Sequence, residues 1–322
     1  MPELEHPLRG LYRLPTPVWV AADLLGSSCP TSIGGQQVEI HLPIDGPTLD
    51  QPAPVFRPGL ADHVPVPEDD RFAPDWPGRP AGIADPSGEP VTGVLFIARS
   101  VDENLLAERR PGVLDDPTSR LADHLRQNVE RWFQILSAWI EVCTAQDLDY
   151  EHPLYTAWAE GAGLHLWSDS KELMGGQRMV LTTPTITPIT PSLWVHAVTS
   201  AAQGTLPPLE LQLVRDGRSA FMRGLHRTAV LSAASAIEAG AHALGVSVRN
   251  MKPKLTELVA LGFITEAEKD RALVTVAAVR NSVIHDGYNP TPSESYEAVE
   301  AAHIVIMSAR KGAATRAAAS NA

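Results

Sequence analysis

Proline sets the first limit on this chain. More than half of its 28 prolines fall between Pro15 and Pro90. Each fixes φ and removes an amide donor, which closes helix interiors and central strands to that stretch. Three short strand candidates survive, at residues 18–21, 38–42 and 91–97. The second alternates, with Val38, Ile40 and Leu42 on one side and Glu39 and His41 on the other. Residues 1–115 therefore read as a small β-rich module with a long irregular excursion over about 43–90. A loop of that length inside a domain is uncommon, and is either a functional flap or partly disordered.

Helical patterning begins at Asp116-Pro117, an N-cap followed by proline at the first helical position. Leu121, Leu125, Val129, Trp132, Phe133, Leu136 and Ile140 then form a wide apolar stripe, with Trp139 beside it. A stripe this heavy marks core or a domain interface. Leu164, Leu166 and Trp167 suggest a strand, residues 182–191 an extended connector, and residues 194–202 a short helix. Residues 116–205 are thus a mixed helix and strand continuation of the N-terminal part, ending at the turn signals from Gly204 to Pro208.

From 206 to 310 the pattern is helical throughout. Five helices are predicted: 207–221, 225–244 with Gly245 as its stop, 253–262, 265–287, and a fifth from 291 onward. The fourth opens on the T-x-x-E capping box of Thr265 and Glu268, and the fifth on Thr291-Pro292-Ser293-Glu294. In the fourth, Leu273, Val276, Ala277, Val283 and Ile284 mark a buried face. Arg280 stands seven residues after Leu273, a spacing that drifts only about 20° around an α-helix, so it falls close to that face. A guanidinium there needs a partner because its charge must leave water. Glu238, on the second helix, is the best internal candidate. Asn281 and His285 are four residues apart and share a side. Gly287 is placed to end the helix, which leaves His285 in the last turn. Residues 311–322 read as a disordered, alanine-rich tail. The fold class is α+β: a β-rich N-terminal module with long Pro-rich loops, then an all-α helical bundle.

The net charge of −12 argues against a chain that coats nucleic acid along its whole length. The charge is uneven, however. Residues 207–322 hold 13 of the 26 Lys/Arg but only 11 of the 38 Asp/Glu, so the acidity lies N-terminally and the C-terminal part is slightly basic. No apolar run is long enough to cross a bilayer, and the N-terminus lacks the basic and apolar regions of a signal peptide. Cys29 and Cys143 make neither a disulfide framework nor a C-x-x-C clip. A cytoplasmic protein without a membrane partner is expected.

Several chemistries lack their motifs: there is no P-loop, no G-x-G-x-x-G and no G-x-S-x-G. The eleven histidines include no H-x-x-x-H pair, so neither a metal nor a cofactor is predicted. What remains is Arg280, Asn281 and His285. Arg-Asn-x-x-x-His at a helix end resembles the R-x4-6-H signature of the HEPN superfamily, helical domains found in many prokaryotic RNases. The small-residue helix over 225–238 and the order of the segments after it resemble that fold too. The resemblance covers residues 206–310.

It implies metal-independent RNA cleavage at Arg280, His285 and Asn281, in a homodimer that brings two helix ends to one cleft. Histidine can move a proton near neutral pH, and arginine offers a fork of donors to phosphate oxygens. Asn281 would orient the phosphate or hold His285. Arg223 and Arg227 are candidate contacts to RNA phosphates, with Glu238 in support. The implied role is a toxin or anti-phage abortive-infection effector, whose N-terminal half senses a protein or small-molecule trigger. The alternative is a non-catalytic HEPN dimerisation or ligand-binding module, in which Arg280 and Glu238 form a structural pair.

Overall fold

The computed structural model describes residues 2–45, 55–58, 60, 88–107, 117–148, 166–168, 171–173 and 187–320. Most of the 43–90 excursion, the Asp116 cap, Leu164 and residues 182–186 lie outside them. The chain is α+β, an antiparallel sheet followed by a helical region, and divides into two compact units, Met1–Thr205 and Leu206–Ala322.

In the first unit, β1 (Glu3–Val20), β2 (Ser28–Ile33), β3 (Gln36–His41) and β4 (Glu89–Ser100) form one antiparallel sheet in the order β1-β4-β3-β2. Proline is the reason the sequence predicts only the last residues of β1. The strand carries its prolines because it lies at the sheet edge. Its register with β4 shifts between Glu3 and Leu8, around Pro7, and between Arg13 and Val18, around Pro15 and Pro17. Edges and bulges are where a missing amide breaks no ladder bond. β2, also unpredicted, pairs with β3 through the Gly34-Gly35 turn.

One face of the sheet is apolar, with Val38 and Ile40 from β3 and Val94, Phe96 and Ala98 from β4. It packs with α2 (Pro117–Thr144), which follows the short α1 (Glu103–Ala107), and with α3 (Pro191–Ala202). The α2 stripe supplies Leu121, Trp132, Phe133, Leu136 and Ile140 as buried residues. Trp132 stands edge-on to Phe96 at 5.6 Å, and Phe133 packs on Tyr12 at 4.7 Å between ring centres. Trp139 is fixed by its indole N–H, which donates to Thr205 O at 2.7 Å. Beyond α2, the Gln146 carboxamide bonds both the amide and the carbonyl of Trp19 (2.8 and 3.0 Å), serving β1 as a neighbouring strand would. A small hairpin, β5 (Leu166–Ser168) with β6 (Lys171–Leu173), completes the described strands.

The second unit is helical: α4 (Leu209–Met222), α5 (His226–Ala243), α6 (Met251–Ala260), α7 (Glu266–Ala272), a π-helical segment (Leu273–Ala278), α8 (Val279–His285) and α9 (Pro292–Ser320). Small residues of α5, among them Ala229, Ala233, Ala234 and Ala241, are buried against Ala298, Ala302 and Val305 of α9. The segment expected to be a disordered tail is helical to Ser320. Two things hold it. Alanine is the best intrinsic helix former, and Arg316 lies over the Phe263 ring, 5.9 Å from its centre. No helix among the described residues is long and apolar enough to cross a membrane.

Candidate functional site

Two capping boxes frame the helix that carries Arg280. At its start the Thr265 amide donates to the Glu268 carboxylate (2.7 Å), and the Glu268 amide donates back to Thr265 Oγ1 (3.2 Å). Ser308 of α9 donates to the same carboxylate at 2.6 Å. Burial pushes the Glu268 carboxyl up, but the hydrogen bonds from Ser308 and Thr265 outweigh it and hold the group below the ordinary 4.5. After the helix, Thr291 and Glu294 repeat the box (2.8 and 3.2 Å), and Tyr288 Oη donates to Glu294 at 2.9 Å.

Between the boxes the helix is not a plain α-helix. In the π segment the bonding runs from i to i+5, which places an extra residue in the turn and makes later positions lag around the axis. The heptad relation between Leu273 and Arg280 therefore does not hold. Val276 and Val283 are buried and Leu273 and Ala277 partly so, but Ile284, expected on the buried face, is 47 % exposed.

Arg280 is half-buried, and Asn281 and His285 are exposed. The expected Arg280–Glu238 pair is absent: neither a hydrogen bond nor an ion pair joins them, and Arg280 Nη1 donates to Asn281 Oδ1 at 3.3 Å. Asn281 and His285 share the outer side of α8. Arg280 and His285, five residues apart, are about 140° apart around a regular helix, so one copy of α8 does not aim both at a single point.

The end of α8 shows what Arg227 does. Gly287 takes φ +65°, open to glycine without strain. After Gly245 and Gly262 the next amide bonds the carbonyl five residues back, Val246 to Ala241 and Phe263 to Leu258, both at 2.9 Å. After Gly287, Tyr288 N reaches one residue further, to Ser282 O at 3.1 Å. Val283 O thus accepts instead from Arg227 Nη2, at 3.3 Å. Arg227, expected only as a phosphate contact, braces the helix end that carries His285. Arg223 is exposed, at the C-terminal cap of α4.

Sequence reasoning missed the neighbour of Arg227. His226 Nδ1 lies 2.9 Å from Ser295 Oγ, and Ser295 is fully buried. The two are 69 residues apart, so no local pattern signals the contact. Three helix ends meet here: the start of α5, the end of α8 and the start of α9. Among the described residues no group of His, Cys, Asp and Glu is arranged to hold a metal ion. Comparison with known proteins finds no matching family model, no similar curated protein and no similar solved structure.

Proposed function

We propose that the second unit is a metal-independent endoribonuclease of HEPN type, with Arg280, Asn281 and His285 at its reacting end. The observation that carries this reading is the state of these side chains. A structural role would neutralise Arg280 on Glu238 and bury or cap the motif. Instead Arg280 has no acidic partner among the described residues, and Asn281 and His285 face solvent at the end of a braced helix. In the reaction the RNA 2′-oxygen attacks phosphorus, the bond to the 5′-oxygen breaks, and a 2′,3′-cyclic phosphate remains. Arg280 steadies the charge on the phosphoryl oxygens, Asn281 orients the group and His285 moves a proton. DNA lacks the attacking hydroxyl and is not a substrate. A homodimer, a cytoplasmic toxin or abortive-infection role, and a trigger acting on the first unit belong to the same proposal.

The second reading, a non-catalytic HEPN module, is favoured by one observation, the divergence of Arg280 and His285 around α8. The test is RNA cleavage in EDTA by the wild type, Arg280→Ala and His285→Ala, each checked for helicity. Expected is cleavage by the wild type, ending in cyclic phosphate, with a loss of about 10²-fold or more in both variants. Silence from the folded full chain and from residues 206–322 alone would move the assignment to the module.

A further inference from the structure

Cleavage through the 2′-hydroxyl needs two proton transfers: one group takes the 2′ proton and another gives a proton to the leaving 5′-oxygen. Each chain supplies one His285, so the second transfer falls either to His285 of the partner subunit or to another group of the same chain. We propose that His226 is the second proton-transfer residue, so that one chain carries both the acid and the base. This rests on the ribonuclease reading.

The argument is positional. His226 opens α5, next to Arg227, whose guanidinium reaches Val283 O two residues before His285. Its ring is held by Ser295 in the first turn of α9, one residue after Glu294, which holds Tyr288. Tyr288 in turn lies three residues beyond His285. His226 itself, and Val283 and Tyr288 on either side of His285, are thereby tied to the same meeting point of three helix ends, by contacts of 2.9 to 3.3 Å.

The Ser295 contact also orients the ring. Ser295 Oγ lies 2.9 Å from Pro292 O and 3.1 Å from Thr291 O. Its one hydrogen goes to a backbone carbonyl, and its lone pair accepts from Nδ1–H of His226. Nε2 is then the ring nitrogen left to exchange a proton with substrate. A titratable ring oriented by a buried partner, beside an arginine at a helix end, has the geometry that an acid–base group requires. No side chain caps the start of α5, so its positive pole adds to Arg227 in favouring a phosphate there. In the step itself, the 2′-hydroxyl proton passes to one imidazole as the 2′-oxygen bonds to phosphorus. The other imidazolium gives its proton to the 5′-oxygen as that bond breaks, yielding cyclic phosphate and a free 5′-hydroxyl.

The test uses the full chain in EDTA with two substrates, an RNA oligonucleotide and uridine 3′-(4-nitrophenyl phosphate). His226→Asn keeps a donor where Nδ1 stood and removes Nε2; His285→Asn is its counterpart. Both should lose about 10²- to 10⁴-fold on RNA. One of the two should recover most of its rate on the nitrophenyl ester, whose leaving group departs without a proton, and so identify itself as the acid. Ser295→Ala keeps both histidines but frees His226, and should drop RNA cleavage about 10-fold or more, a check that does not depend on His226→Asn folding. The inference is overturned if His226→Asn cleaves RNA within about threefold of the wild type while His285→Asn does not, or if neither histidine variant recovers on the nitrophenyl ester. Silence of both the wild-type full chain and residues 206–322 alone removes the ribonuclease reading, and this inference with it.

Discussion

Glu210 and Arg310 form an ion pair in the second unit whose two ends are unequal. Arg310 Nη1 bonds Glu210 Oε1 at 2.5 Å, with the arginine side chain 44 % exposed and the glutamate 6 %. The pair lines a cavity of about 140 Å³, whose other walls include Ile237, Gly240 and Leu258. Arg310→Met keeps most of the stem but strands a buried carboxylate. Breaking a fully buried pair costs about 3–5 kcal/mol; water reaching in past the half-open arginine end reduces this to about 2–3 kcal/mol. Glu210→Gln leaves an arginine that can turn to solvent beside a neutral acceptor, and costs about 1 kcal/mol. In the double variant Glu210→Leu/Arg310→Met no charge is stranded, and stability returns to within about 1 kcal/mol of wild type. All seven tryptophans precede residue 206, so fluorescence reports only the first unit. Urea unfolding read by far-UV circular dichroism, set against the fluorescence transition, isolates the second. If Glu210→Gln cost more than Arg310→Met, or if the double variant cost the sum of the singles, the asymmetry drawn from exposure would be refuted.

Two further outcomes are expected. Gly312→Ala should destabilise the second unit by about 1–2 kcal/mol, although alanine in a helix normally gains about 0.5–1 kcal/mol over glycine. A Cβ there would stand 2.8 Å from Phe263 Cα and 3.1 Å from its carbonyl oxygen, backbone atoms that cannot step aside; a rise in the denaturation midpoint would show that the helix end is not docked. Acidification tests the first capping box. The Glu268 carboxyl lies below 4.5 in the folded chain, so its contribution is complete above 4.5 and is lost as pH falls through the folded value. Glu268→Gln should therefore narrow the gap in stability between pH 6 and pH 3, measured by urea unfolding; an unchanged gap would refute the assignment.

The sequence by itself determined what is local. Thr265 with Glu268 and Thr291 with Glu294 mark helix starts because a cap and its partner are three residues apart. Gly245, Gly262 and Gly287 mark stops because only their own φ has to turn positive. The α2 stripe is legible because one helix carries the whole periodicity. Arg280, Asn281 and His285 could be singled out for the same reason, being neighbours on one helix end.

Tertiary structure decided whatever depends on partners far away in sequence. β1 runs through three prolines because β4 pairs with only one of its edges. The π segment breaks the heptad rule that placed Arg280 beside Leu273, so the pairing with Glu238 does not form and Ile284 faces outward. The last turns of α9 stay helical beside Phe263, some fifty residues earlier. Arg227 on Val283 O and His226 on Ser295 are contacts across 56 and 69 residues. Their energies come from helix ends brought together by the burial of alanine and valine faces, and no local pattern encodes which ends meet.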